Sequence, residues 1–357
     1  MSRFSTICRV FFVEDPIYEG DMPTLEISVH LKPSVTVIVP KLVPGTTAED
    51  ANRSIHTLLA RYMADHKIEP GVFWYYSPLA LNFTHDFDPV VSVYDCMDEL
   101  TGFLFAPPEL VHREAELFKT VDVVFTGGNS LYEAKKEKHR NIHAFPSSID
   151  KEHFAQARER IADPLDQENI PHPRMGFYGV LDERLNLELV DKVAALKPEW
   201  HFIFLGPVVK IDPTTLPQRD NIHYLGGRSY SELPSYLAGW DVAIMPFAKN
   251  PSTKFISPTK TPEYLAGGKP VVSTSIADVV NDYGNAGLVA IADDPEDFVA
   301  RLEEILSSPN DPVWLAAVDC RLATVSWDRT WNEMLAIISE TILNKTNTTT
   351  KTAIAHV

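Results

Sequence analysis

Short, almost unbroken apolar runs alternate with stretches of helical periodicity along most of the chain. In the first half, RVFFVE (9–14), VTVIVP (35–40), GVFWYY (71–76), PVVSVYD (89–95) and DVVFTG (122–127) predict strands, and the spacing predicts helices over 48–66 and 107–119. A second series follows: RMGFYGV (174–180), HFIFLG (201–206), IHYLGG (222–227), DVAIMPF (241–247) and PVVSTS (270–275), with helices near 184–196, 231–239 and 295–307. Continuous rather than alternating apolar runs suit strands covered on both faces, and strand–helix alternation is the pattern of a doubly wound parallel sheet. The polar stretch 151–173, with Pro164, Pro171 and Pro173, predicts a linker between domains 1–150 and 174–325. Two such α/β domains are expected to face a cleft, with ligands beyond the carboxyl ends of the strands. The tail 344–357, NKTNTTTKTAIAHV, has no apolar periodicity and predicts disorder.

Composition narrows the reading. A length of 357 residues suits two domains better than one core, and 45% hydrophobic with 23% charged residues describes a folded globular chain. A net charge of -17 argues against a general nucleic-acid binder, which needs phosphate-neutralising cations. Three cysteines (Cys8, Cys96, Cys320) without a CxxC indicate neither a disulfide framework nor a zinc site. No apolar run reaches the ~20 residues that cross a bilayer, and the polar start MSRFSTICR lacks a signal-peptide core, so a cytoplasmic protein is expected.

The richest stretch is Lys254 to Thr274, KFISPTKTPEYLAGGKPVVST. Thr261 is expected as N-cap, Pro262 at the first helical position and Glu263 in the first turn, with Gly267 and Gly268 ending the helix before a buried strand. A loop feeding a helix start beside a sheet suits an anion, which points to a phosphorylated ligand.

FYGVLDERLNLEL, NIHYLGGRSYSELPSYLAGWDVAIMPF and SPTKTPEYLAGGKPVVST closely resemble the nucleotide-binding domain of GT-B glycosyltransferases of the group 1 (family 4) type. The likeness covers roughly 90–335. DVVFTGGNSLYEAK and FPSSIDKEHF resemble the family's strand–loop–helix and its hinge, with Ser147 and Ser148 in place of asparagine and glycine, and SWDRTWNEMLAII resembles the terminal helix. The resemblance implies two Rossmann-like domains (GT-B), a closing helix over 326–343 that packs back on the first domain, and sugar transfer from a nucleotide diphosphate sugar to a hydroxyl of a glycan, lipid or small molecule. It implies retention at the anomeric carbon and neither cofactor nor metal. Against the family pattern, the first domain lacks its opening strand and helix, so either an upstream start is expected or a reduced sheet whose exposed position is covered some other way.

Residue by residue, Glu263 matches the second glutamate of the family's paired-glutamate motif and is implied to accept hydrogen bonds from the ribose diol, with helix capping as the plain alternative. Eight positions earlier the first glutamate is replaced by Phe255, which weakens the retention inference and leaves sugar contacts to Ser257, Pro258 and Thr259. Arg184 and Lys260, with Lys254 behind them, are implied diphosphate ligands, or else ordinary surface cations. Gly179 and Gly206 sit at strand ends where backbone can approach a ligand, although turn-making explains them too. Leu225, Gly226 and Arg228 fall in the region resembling the base-recognition loop. Where the family often places a catalytic histidine, this chain offers Asp95, read as general base or acceptor orienter, with capping of the next helix as the alternative. Asp95 with Asp98, and Asp293 with Asp294, are too few ligands for a metal, and the twelve histidines, His85 among them, show no metal-binding pairing. FWYY (73–76) reads as buried strand or sugar-stacking wall. KKEKHR (135–140) reads as a solvated helix end or a contact with anionic headgroups or a lipid-linked acceptor. Two other functions stay open at this stage, a nucleotide-sugar epimerase of the same architecture and a noncatalytic nucleotide-sugar-binding protein.

Overall fold

The computed structural model describes residues 1–31, 34–159, 161–308 and 311–355. Arg160 of the expected linker and His356 and Val357 of the expected tail lie outside them. The chain divides into two compact units, the first made of Met1–Asp95, Glu109–Val124 and Trp331–Val357, the second of Cys96–Pro108 and Phe125–Thr330.

In the first unit the strand Ser34–Leu42 is central: Val10–Val13 and Ile17–Tyr18 pair with it in parallel, and Thr24–Leu31 pairs with it antiparallel, Ile27 opposite Ile38. Sequence reasoning missed Thr24–Leu31, although TLEISVHL alternates with period two, because this is an exposed antiparallel strand, with Leu25 partly buried and Ile27 and Val29 exposed, unlike the buried parallel runs elsewhere. The helix Ala48–Asp65 follows, started by Thr47, whose hydroxyl accepts from the Asp50 amide at 3.2 Å. It buries Ala51, Ile55 and Leu59 against Ile38 and Leu42. The strand Val72–Tyr75 runs parallel to Val91–Cys96, every residue of which is buried. The closing helix spans Trp327–Ala355, so the segment expected to be disordered continues that helix as far as Ala355. Threonine and asparagine are weak helix formers, but here they extend a helix already nucleated by the apolar stretch upstream.

The second unit is a six-stranded sheet. In spatial order its strands are Ile222–Gly226, His201–Leu205, Arg174–Tyr178, Val242–Met245, Val271–Ser273 and Ala290–Ile291, all parallel. The chain builds outward from Arg174–Tyr178 to one edge, then returns to start again at Val242–Met245, so these neighbouring strands form the switch point where loops leave in opposite directions. Helices Leu187–Leu196, Leu233–Ala238, Lys260–Ala266 and Pro295–Ser307 cover the faces, each contributing buried apolar residues. The polar 151–173 stretch belongs to this unit: Phe154, Ala157 and Ile170 are buried in its core, and Arg174 is buried against Asp163 at 2.7 Å. Its composition hid this, because the few apolar side chains point inward while the many polar ones face water.

Candidate active site

The site grows from the ends of the switch-point strands. Tyr178, the last residue of its strand, donates its hydroxyl to Glu263 Oε2 at 2.8 Å and its amide to the Tyr264 hydroxyl at 3.0 Å. Burial pushes the Glu263 carboxyl up to about 7, against the pull of the Tyr178 hydrogen bond and the Lys260 charge. Glu263 is therefore no solvated capping charge but a half-buried carboxylate fixed by a buried tyrosine. Its helix starts two residues earlier than expected. Lys260 is the first helical residue, Thr259 precedes it without a side-chain cap, and Thr261, expected as N-cap, is buried inside the helix with its hydroxyl 3.4 Å from Met245 Sδ. Pro258 and the tight loop before it set this start, since a proline disfavours helix in the residue ahead of it and not behind it.

Immediately past Tyr178 the chain turns at Gly179 (φ 140), and past Leu205 at Gly206 (φ 147). A Cβ on Gly179 would lie 2.3 Å from Lys260 Cε, and one on Gly206 would lie 1.9 Å from the Gly179 carbonyl oxygen. Both glycines thus let one layer of backbone pass under Lys260, whose side chain crosses Gly179 and sets its ammonium 5.6 Å from the Phe177 ring centroid. Burial lowers the Lys260 pKa, with Arg184 acting the same way and Glu263, Asp182 and Asp98 acting to raise it. Arg184 is clamped by Asp182, with Nε at 3.0 Å from Oδ1 and Nη2 at 2.7 Å from Oδ2. Burial works against its charge, yet the Asp182 carboxylate prevails and its pKa is raised. Phe103 lies 5.6 Å from the Arg184 guanidinium. Asp98, weighed from sequence only as half of a metal pair, is raised by burial and held down by Arg184 and Lys260. Sequence reasoning also missed Tyr178 and Asp182. One reads as a strand residue and the other as a turn aspartate until the fold turns them toward Glu263 and Arg184.

The other expected residues divide. Ser257 and Pro258 are partly buried and Thr259 is exposed, in the loop leading to Lys260. Leu225 and Gly226 (φ 75) end their strand, and Arg228 is engaged by Asp166, the Tyr236 hydroxyl and the Gly227 carbonyl. Lys254 is exposed, 5.0 Å from the Phe255 ring. In the first unit Asp95 is buried and accepts from Trp74 Nε1 at 3.0 Å; its Oδ1 has no hydrogen-bond partner, and burial pushes the carboxyl up to about 7. Trp74 takes the carboxylate that helix capping would have used. Asp294 caps the Pro295–Ser307 helix and Asp293 pairs with Lys249, so that couple is accounted for by local structure. In the basic run, Lys135 is buried against Glu99 at 3.0 Å and Lys136 pairs with Glu133 at 2.6 Å. Among the described residues no group of three or more His, Cys, Asp or Glu side chains is placed to hold a metal, and no helix is long and apolar enough to cross a membrane.

A doubly wound parallel sheet carries its ligand site beyond the carboxyl ends of the strands at the switch point, and here a fixed carboxylate and two cations stand there. Residues 172–308 match the family model for glycosyl transferases group 1, which bears out the resemblance read from the sequence. The teichuronic acid biosynthesis glycosyltransferase TuaH of Bacillus subtilis (strain 168) is 24% identical over 266 residues, 68% of this chain and 65% of that protein. The chain thus spans just under two thirds of that relative. Among solved structures, a sucrose-phosphate synthase from Thermosynechococcus elongatus superposes with a TM-score of 0.66 at 14% identity, over 100% of this chain and 92% of that one. A structure described as trehalose-6-phosphate from E. coli bound with UDP-2-fluoro glucose gives 0.67 at 11% identity, over 96% of this chain and 95% of that one. At such identities these likenesses establish the fold, which is GT-B with two Rossmann-like domains. Both the matched family and the curated relative are named for glycosyl transfer.

Proposed function

We propose that the chain transfers a glycosyl group from a nucleoside diphosphate sugar to a hydroxyl of a carbohydrate or lipid-linked carbohydrate acceptor, with retention at the anomeric carbon. The observation that carries the reading is Glu263, a carboxylate held by Tyr178 beside Lys260 at the switch point of the second unit. An ionised carboxylate accepts from both hydroxyls of a ribose, and the flanking cations suit the diphosphate that gains charge as the glycosidic bond breaks. Arg184 arrives oriented by Asp182, and Lys260 lies over Gly179 with no ion pair among the described residues, so it is available to an incoming phosphate. Gly206 keeps the backbone under it low, and Ser257, Pro258 and Thr259 are assigned to the transferred sugar. In the first unit Asp95, with a pKa near 7, is assigned the proton of the acceptor hydroxyl, the value at which a general base works best near neutrality. The relative's role in teichuronic acid biosynthesis favours a polysaccharide acceptor.

The test is a thermal-unfolding screen of the full chain with UDP, ADP, GDP and their sugars, followed by nucleotide-release and transfer assays. A nucleotide held at a hundred times its dissociation constant adds about 2.7 kcal/mol to stability. Failure of every nucleoside diphosphate to shift unfolding, together with no nucleotide release from any sugar donor, would refute the proposal. Isomerisation of the donor without acceptor would show an epimerase instead, and nucleotide binding without release a noncatalytic binder. NMR of the product anomer reads the stereochemistry.

A further inference from the structure

Beside Glu263, on the loop after the strand Ile222–Gly226, Tyr230 is 51% exposed. Large aromatic rings on a surface loop are usually free to turn, but this one is fixed on several sides. The His153 ring stacks on it with centroids 4.3 Å apart and planes 12° from parallel, and Phe154 meets it edge-on at 5.5 Å. His153 is itself held. Its Nε2–H donates to the Tyr230 carbonyl at 2.9 Å, and its amide donates to Asp150 Oδ1 at 3.2 Å. On the tyrosine side, Ser229 and Glu232 form a reciprocal capping box around the turn that carries it.

The same rings lead to the carboxylate. Phe154 is fully buried and stacks on Tyr178 at 6.3 Å and 16°, and the Tyr178 hydroxyl is bonded to Glu263. Tyr230, Phe154, Tyr178 and Glu263 therefore form one continuous packed series. Glu263 also acts on the Tyr230 hydroxyl, whose pKa burial, Glu263 and Asp150 together push up to about 12. Glu263 is the common neighbour of two different environments, the cationic one at Lys260 and Arg184 and the aromatic one at Tyr230. A ribose held at Glu263 carries phosphates on one side and a base on the other, so the cations account for one end of the ligand and leave the aromatic end unassigned.

We propose that the Tyr230 ring, backed by His153, is the stacking platform for the nucleobase of the donor nucleotide. This rests on the proposed nucleoside diphosphate sugar reading and deepens it by naming the residue that holds the base. A π-face accepts any base, so the platform supplies affinity while the hydrogen-bonding edges of the loop Leu225–Arg228 supply the choice among bases. Because the ring is already immobilised by His153 and Phe154, little of its rotamer entropy remains to be lost on binding.

The experiment compares wild type, Tyr230→Phe and Tyr230→Ala by calorimetric titration of the full chain with UDP, ADP, GDP and inorganic pyrophosphate, with thermal unfolding of each variant as a folding control. For whichever nucleoside diphosphate binds wild type, Tyr230→Ala is expected to weaken binding by roughly 5- to 150-fold. Tyr230→Phe should stay within about twofold, and pyrophosphate binding should be the same in all three. An alanine variant that binds the nucleotide as wild type does overturns the platform and leaves the functional reading standing. An equal loss for pyrophosphate overturns it too, since the effect would then not belong to the base. Absence of nucleoside diphosphate binding by wild type defeats the functional reading itself.

Discussion

Replacing Glu263 by glutamine separates the cost of the site from its use. The folded protein favours the neutral acid here, because burial moves the carboxyl from its ordinary 4.5 to about 7. At about 1.4 kcal/mol per pH unit this difference amounts to roughly 3 kcal/mol. The sign follows from the raised value. The contribution to stability is complete below about pH 4.5 and is lost as pH rises through about 7, where the folded chain must hold a charge that burial disfavours. Glutamine is never charged and keeps an oxygen for the Tyr178 hydroxyl, so Glu263→Gln should match wild type near pH 4.5 and exceed it at pH 8 by up to about 3 kcal/mol. Urea unfolding at pH 4.5, 6 and 8, followed by fluorescence and circular dichroism, reads the difference. Titration with a nucleoside diphosphate at pH 8 should show the opposite trend, a loss of about tenfold or more, since two charge-assisted hydrogen bonds become neutral ones. A glutamine variant no more stable than wild type at pH 8, or one that binds nucleotide unchanged, would refute the reasoning that this carboxylate is kept in a costly position for a ligand.

The remaining expectations concern neighbouring features. Gly206→Ala should lower stability by about 3 kcal/mol or more and abolish nucleotide binding, because its Cβ would meet the Gly179 carbonyl at 1.9 Å and displace the backbone beneath Lys260; an unchanged urea midpoint contradicts this. Asp95→Asn should remove the acidic limb near pH 7 from the kcat/KM profile and slow transfer by about a hundredfold or more while leaving nucleotide affinity intact, and persistence of that limb would assign it elsewhere. His201 and His223 share a hydrogen bond at 3.0 Å, and burial lowers both pKa values. Their stabilising effect is present above the ordinary 6.5 and lost as pH falls below it, so His201→Gln should reduce the drop in unfolding temperature between pH 7 and 5; an identical drop in the variant counts against the pair.

The amino-acid order alone marked most of the strands and helices between 174 and 307, because buried parallel strands must be apolar throughout and the helices between them must carry one apolar stripe. It also marked Glu263, Arg184 and Lys260 as candidate ligand residues, through the resemblance to a known family and local charge. What it could not show is what each side chain faces. Tyr178 holding Glu263 and His153 backing Tyr230 join residues 85 and 77 positions apart, and contacts at such separations depend on how strands and loops meet in space; Asp182 clamps Arg184 from two positions away, a turn whose side-chain directions the residue order does not give. The same reason explains Thr261, which has the composition of a cap but is carried into the helix by the loop before it, and the stretch 151–173, whose polar surface conceals Phe154 in the core. Local chemistry is written along the chain; the dielectric and the neighbours that give a carboxylate a pKa near 7 exist only once distant segments have closed around it.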